Sequence, residues 1–194
     1  MADVYLAGVI REHPHATAAV DPATLEAKAG LYRSVRDHQT LSVEYQDGKL
    51  RIDHRGALTP VSGDVFVVGE EGPRAEFERA APGKTLRLRL ASEVDEGNCY
   101  EKVELWTPAP PELEAMTGAY TSDEAEVTFQ VAVEKDHLVI HRRPDTTIAL
   151  TPTYRDGFSC SLGSVRFLRD AQGHVSELSI GEQRVWDMRF HRVR

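Results

Sequence analysis

Histidine pairs are the first places in this sequence where chemistry could occur. The chain has eight histidines, and His137 and His141 have a spacing that would chelate a metal ion on a helix. Both lie in an alternating apolar segment that predicts a strand, where a rise of about 3.3 Å per residue separates them by about 13 Å. His13 and His15 lie in a proline-containing segment. We expect no metal site, and histidines that are exposed to solvent.

The cysteines and the charge exclude further classes of site. Cys99 and Cys160 lie in different halves of the chain and form no CxxC pair, so we expect no zinc site or disulfide but two buried, reduced thiols. The net charge of −8 is spread over both halves, which excludes a basic surface for nucleic acids. The apolar stretch 65–68 is far shorter than the roughly 20 residues that span a bilayer, and residues 1–10 do not resemble a secretory signal. We expect a soluble, cytoplasmic chain that needs no cofactor, nucleic acid or membrane.

An internal repeat organises the chain. Residues 25–34 reappear as residues 113–122, and Leu-Thr-Pro occurs at 58–60 and again at 150–152. The proline-rich segment 107–112 lies between the two copies, as expected of a stiff spacer. The repeat therefore predicts an N-terminal segment (1–21), a first domain (22–107) and a second domain (108–194).

Alternating apolar residues dominate each copy and indicate half-buried strands, as at Leu41, Val43 and Tyr45. Tight turns such as Asp47-Gly48 separate the strands and make them sequential antiparallel neighbours. Seven or eight strands in each copy are enough to close an up-and-down barrel. The sequence therefore predicts an all-β chain of two tandem lipocalin-like barrels, each preceded by a helical turn (22–28 and 110–116). A β-sandwich is the main alternative.

One motif recurs at the start of each predicted barrel. Gly30 precedes Tyr32 by two residues, and Gly118 precedes Tyr120 in the same way. Glycine allows a strand to bend, and the ring two residues later can close the end of the barrel. We interpret all four residues as structural.

The order of these motifs carries a family resemblance. Leu-x-x-x-x-Gly-x-Tyr-x-Ser, then alternating strands, Leu-Thr-Pro and the closing hairpin 165–175 resemble the lipocalin-like C-terminal domain of β-lactamase-related serine hydrolases. Two such barrels in a row are similar to the D-aminopeptidase type, in which a penicillin-binding-protein-like catalytic domain precedes them. Residues 3–7 are similar to the last helix of that catalytic domain. The resemblance implies a serine hydrolase domain as partner.

The catalytic motifs of that family are missing from this chain. No serine has a lysine three residues later, and the only asparagine, Asn98, does not complete a Tyr-x-Asn motif. His54-Arg55-Gly56 matches His-x-Gly, but a three-residue match without a nucleophile is best explained by chance. We therefore expect no catalytic residues in this chain.

The two predicted loop excursions, 91–99 and 142–147, are the remaining candidate sites, because loops on rigid barrels often carry function. In the D-aminopeptidase type, a barrel loop restricts access to the active site, and we expect Arg142, Arg143 and Asp145 to act in this way here. The predicted function is a non-catalytic C-terminal accessory module that acts in substrate gating, domain packing or self-association. A lipocalin-like binder of a small apolar ligand is the alternative.

Overall fold

The computed structural model describes residues 18–69, 71–78, 85–92, 95–142, 145–182 and 184–193, without the side chains of 92, 95 and 96. The first repeat comprises α1 (Pro22–Lys28), β1 (Gly30–Ser34), β2 (Thr40–Gln46), β3 (Lys49–Ile52), β4 (Gly56–Pro60), β5 (Val65–Val68), β6 (Arg74–Glu78), β7 (Arg87–Ser92) and β8 (Asp95–Val103). The second comprises α2 (Pro110–Glu114), β9 (Gly118–Ser122), β10 (Val127–Glu134), β11 (His137–Arg142), β12 (Thr146–Ala149), β13 (Thr151–Pro152), β14 (Gly157–Cys160), β15 (Gly163–Arg169), β16 (Val175–Glu182) and β17 (Val185–Arg192). The all-β prediction is confirmed.

The first repeat forms a closed barrel in which β1 to β8 follow one another in chain order. β1 pairs with both β2 and β8, so that Tyr32 lies opposite Leu41 on one side and Lys102 on the other. The β2–β3 turn shows why the strands are neighbours: Asp47 and Gly48 have φ angles of 52° and 76°, a pair of left-handed residues that matches a type I′ hairpin. Closure of the sheet rules out a sandwich for this repeat.

The second repeat forms a nine-stranded antiparallel sheet in the order β12-β11-β10-β9-β17-β16-β15-β14-β13. Its two outermost strands, β12 and β13, are separated in the chain only by Leu150, whose N–H donates to the carbonyl of Leu138 at 2.9 Å. The two ends of the sheet therefore meet at one residue, which gives the second repeat its barrel-like form.

Each repeat has its own apolar core inside its sheet. Phe77 contacts Tyr32 and Phe66 edge to face in the first core, with ring centroids 6.1 and 5.5 Å apart. Phe167 contacts Tyr120 and Phe158 in the same way in the second, at 5.9 and 5.6 Å. Buried aliphatic side chains surround these aromatic groups in both repeats. The interior of each sheet is therefore occupied by the side chains of the chain itself.

Candidate functional site

The repeated tyrosines attach each helix to its barrel. Tyr32 is fully buried and donates a hydrogen bond to the carbonyl of Lys28 at 2.6 Å, and Tyr120 donates to the carbonyl of Met116 at 2.8 Å. Burial raises the pKa of Tyr120 to about 12 and that of Tyr32 further. Neither phenol is therefore suited to proton transfer near neutral pH.

The repeated glycines make room for a cation that binds the chain segment around each helix end. A Cβ atom at Gly30 would lie 2.7 Å from Lys102 Cε, and one at Gly118 would lie 3.1 Å from Arg192 Nε. Lys102 donates to the carbonyl of Ala27 at 2.9 Å, and Arg192 donates to the carbonyls at 115 and 117. Cations at helix C-termini stabilise the unpaired carbonyl groups there. The repeated glycines and tyrosines therefore lie where each helix is attached to its barrel.

The predicted gating residues lie on the outside of the second barrel. Arg142 ends β11, Asp145 precedes β12, and both are exposed. They line an open cleft of about 940 Å³ between the outer faces of β10, β11 and β12. Arg143 lies outside the described residues. The structure thus places two of the three predicted residues at one polar cleft.

A hydrogen-bonded row of side chains lies in and beside this cleft. His141 Nε2 is 3.0 Å from Glu134 Oε1, and His141 Nδ1 is 3.1 Å from Thr147 Oγ1. Carboxylate, imidazole and hydroxyl occur in this order in hydrolases. Here Glu134 and Thr147 are exposed and His141 is only partly covered, so water surrounds the hydroxyl and the row lacks the desolvated setting in which such groups become reactive. We assign it to the polar surface around the cleft.

The cysteine and histidine predictions need two corrections. Cys99 is exposed, because it precedes the core-facing Tyr100 on β8 and so faces outward; only Cys160 is partly buried, and both are free thiols. His38 is half-buried and not a surface histidine. Among the described residues, no cluster of three or more His, Cys, Asp or Glu side chains could hold a metal ion. His13 and His15, like residues 3–7, lie outside the described residues.

The loop between β1 and β2 reaches from the first barrel to the second. The hydroxyl of Ser34 accepts hydrogen bonds from the N–H groups of Arg36 and Asp37 at 3.2 and 3.3 Å, and Asp37 Oδ1 accepts one from Gln39 at 3.2 Å. His38 completes the loop with a left-handed φ of 60°. These local contacts give the loop a fixed shape with its backbone turned outward.

This loop packs on the outer surface of β14 to β17, and we call the contact of residues 33–40 with residues 153–189 the seam. The hydroxyl of Ser164 donates to the carbonyl of Asp37 at 2.5 Å. A Cβ atom at Gly181 would lie 2.1 Å from the same carbonyl oxygen, so the two backbones touch. The guanidinium of Arg36 lies 3.5 Å from the centre of the Trp186 ring. The seam is therefore a close contact between the two barrels.

Tyr154 forms the centre of the seam. The Arg33 guanidinium lies 5.2 Å from the centre of its ring, and the phenol oxygen is 3.5 Å from the carbonyl of His38. Gly157 packs against the ring so closely that a Cβ atom there would lie 2.4 Å from it. The neighbouring Thr153 carbonyl accepts a hydrogen bond from the Trp106 N–H at 3.0 Å, which attaches the chain just before the spacer to the second barrel.

Four buried polar atoms at the seam have no hydrogen-bond partner among the described residues. They are Arg33 Nε, His38 Nδ1, Thr153 Oγ1 and Arg166 Nε. Two come from the first barrel and two from the second. His38 and Thr153 also line a cleft of about 190 Å³, with Gln39, Thr40, Ser159 and Ser164 among its other walls. Buried polar atoms are almost always hydrogen-bonded, so this cluster is the strongest candidate for a binding site.

The electrostatics of the cluster are dominated by its two arginines. Burial, then the charges of Arg166 and Arg33, lower the pKa of His38, and Asp187 and Asp37 oppose them only in part. His38 is therefore neutral at neutral pH. Burial also lowers the pKa of Arg166, although a guanidinium stays charged at any physiological pH.

The sequence did not single out Arg33, His38, Thr153 or Arg166. The available signal is the position of Arg166 between the core residues Val165 and Phe167, which places it on the outer face of β15. An arginine on an outer face normally faces water, and only the packing of the other barrel buries it.

No protein-family model matches this chain, and no curated protein matches it. Within the described ranges, no helix is long and apolar enough to cross a membrane.

Proposed function

We propose that this chain is a non-catalytic accessory module of a β-lactamase-like serine hydrolase of the D-aminopeptidase type, and that it acts through its outer surfaces in substrate gating, domain packing or self-association. The observation that carries the proposal is the filled interior of both barrels, where buried aromatic and aliphatic side chains occupy the space. Interiors packed with core side chains leave the outer surfaces of the barrels as the place for binding. The motif order described above supports the choice of family.

The cleft at Arg142 and Asp145 is the surface that best fits gating. It is open, it lies at the end of a hairpin, and both side chains are exposed at its wall. An exposed guanidinium can pair with a substrate carboxylate in bidentate geometry. The packed interiors disfavour the alternative of a lipocalin-like binder, because an apolar ligand would have to displace core side chains such as Tyr32 and Tyr120, both fully buried.

The test is covalent labelling of the protein as the producing cells make it. The polypeptide that carries these residues is isolated through an epitope tag placed at its own locus and treated with a fluorescent penicillin and a fluorophosphonate. The proposal expects label on this polypeptide or on a protein that co-purifies with it in a fixed ratio. Absence of label from both, in an active preparation of a control penicillin-binding protein, would refute the proposed family.

A matched pair of variants then tests the gate. Arg142→Ala should raise KM for a substrate with a free carboxylate several-fold and leave kcat unchanged. Arg51→Ala removes a charge of the same type from an exposed position on β3 and should change neither constant. Equal effects of the two substitutions would assign no gating role to Arg142.

A further inference from the structure

The four unpartnered atoms at the seam share one chemical property, which is that each can donate a hydrogen bond. The Nε–H groups of Arg33 and Arg166 are donors only, the Thr153 hydroxyl can donate, and His38 donates when its proton is on Nδ1. A water molecule accepts only two hydrogen bonds. A carboxylate or phosphate group has four or more acceptor positions, so an oxyanion matches this set of donors better than water does.

The charge of the cluster favours the same partner. Arg166 is half-buried, and its guanidinium has no ion pair among the described residues. The nearby carboxylates are already engaged: Asp187 is bound by Ser179 and Arg189, and Asp37 Oδ1 accepts from the backbone of Gln39.

Glu101 is a further carboxylate near the cluster, and it is shared between two arginines. Its oxygens lie 3.3 Å from Arg33 Nη2 and 2.8 Å from Arg87 Nη2. The Nε of Arg33 stays without a partner. Arg33 has Glu101 as its counter-ion, whereas the half-buried Arg166 has none among the described residues. Partial burial of an unpaired charge is unfavourable, and an external anion would remove this cost.

We propose that the seam binds a small oxyanion, the carboxylate or phosphate group of a small molecule, between Arg33 and His38 of the first barrel and Thr153 and Arg166 of the second. The cleft of about 190 Å³ that His38 and Thr153 line provides the space. Arg33 and Arg166 are not part of its lining, but both lie close enough for their charges to act on His38. At roughly 30 Å³ per water molecule, the volume of the cleft corresponds to about six water molecules. It is therefore large enough for a phosphate or carboxylate group. Because both barrels supply donors, the bound ion also strengthens the contact between them.

The experiment is thermal unfolding and isothermal titration of the full chain with sodium phosphate and, separately, sodium succinate. Every sample is brought to the same ionic strength with sodium chloride. The proposal expects a saturable rise in Tm and a measurable heat with at least one of the two probes, and the preferred probe identifies the phosphate or the carboxylate as the source of the oxyanion. A change no larger than that caused by chloride alone would overturn the proposal.

Variants locate the site. Arg166→Met should weaken binding about ten- to hundredfold, the value of a hydrogen bond to a charged group, while Arg51→Met should bind like the wild type. Arg166→Met removes an unpaired charge and is expected to fold. Thr153→Val keeps both charges and removes one hydrogen bond to the anion, so it should weaken binding about tenfold. Binding that is unchanged in Arg166→Met and in Thr153→Val would place the ion elsewhere and overturn the proposal.

Discussion

Replacing Gly181 with alanine would separate the two barrels without touching either core. Gly181 is buried on β16 under the β1–β2 loop. The new Cβ atom would lie 2.1 Å from the carbonyl oxygen of Asp37 and 2.7 Å from Ser164 Oγ. The hydroxyl can rotate away, but the carbonyl belongs to a backbone that Ser34 holds in place, so the loop must leave the surface.

The magnitude follows from the contacts that would be lost. Overpacking by one methyl group costs about 1–3 kcal/mol. Displacement of the loop also breaks the hydrogen bond from Ser164 to Asp37, worth about 1 kcal/mol, and separates Arg36 from Trp186, worth about 0.5–1 kcal/mol at an exposed site. Part of the strain is relieved when the loop moves, so we expect a loss of about 2–4 kcal/mol in the free energy that couples the barrels.

Urea unfolding followed by two signals measures this coupling. The sequence has two tryptophans, Trp186 at the seam and Trp106 just before the spacer and beside Phe158. Tryptophan fluorescence therefore reports on this region, and far-UV circular dichroism reports on both sheets. In the wild type the two transitions should coincide. In Gly181→Ala the fluorescence transition should move to lower urea and part from the other.

Gly63→Ala is the matched control, because a Cβ atom there meets nothing within 4 Å. It should leave both transitions where they are. If Gly181→Ala and Gly63→Ala had the same midpoints and the same tryptophan emission, the loop would not pack on Gly181 and the seam as described would be wrong.

Four further substitutions test other features of the structure. Tyr32→Phe and Tyr120→Phe each remove one buried hydrogen bond to the chain at a helix end, and each should lower the free energy of unfolding in urea by about 1–2 kcal/mol. Asp64→Asn takes away the carboxylate 2.8 Å from the buried ammonium of Lys28 and should cost about 1 kcal/mol, a modest value because Asp64 is exposed. Folding lowers the pKa of His38 from the value of about 6.5 that it has in the unfolded chain, so below pH 6.5 the unfolded chain binds more protons than the folded one. The free energy of unfolding, measured in urea at several pH values, should therefore fall as the pH drops through the folded pKa. His38→Asn should flatten this dependence.

Each of these predictions would be contradicted by a specific result. Unchanged midpoints in both tyrosine variants would show that the helices are held by apolar contacts alone, and an unchanged midpoint in Asp64→Asn would show that the Lys28 ammonium reaches water. For the pH dependence, His54→Asn is the matched control, because His54 is exposed and has nearly the same backbone conformation, with φ of 56° against 60°. An equal effect of His54→Asn on the pH dependence would exclude His38 as its source.

The repeat and the alternation of apolar residues predicted the barrels, because the alternation indicates which side chains of a strand face the core and which face solvent. Val43 and Leu50 lie in the first core, and Val131 and Leu138 lie in the second. The exposure of Cys99 could not be predicted from its residue type alone. A cysteine is usually buried, but Cys99 precedes the core-facing Tyr100 on the same strand and therefore faces outward.

The seam could not be predicted from the sequence. Ser164 and Asp37 are 127 residues apart in the chain, and no local pattern relates them. Arg166 and Trp186 lie on the outside of the second barrel, where polar and apolar residues alike are compatible with solvent. Only the position of the first barrel on the second partly buries Arg166 and brings Arg36 onto the exposed ring of Trp186.

Whether the barrel interiors accept a ligand is the most direct test of the proposed function, because that function depends on filled interiors. The measurement is a titration of methyl-labelled protein with 1-octanol, a neutral apolar probe, followed by nuclear magnetic resonance. The methyl signals of the core residues Ile52, Leu58, Val131 and Ile140 should stay at their positions. Saturable shifts of these signals would contradict the proposed function and would identify the protein as a binder of apolar molecules.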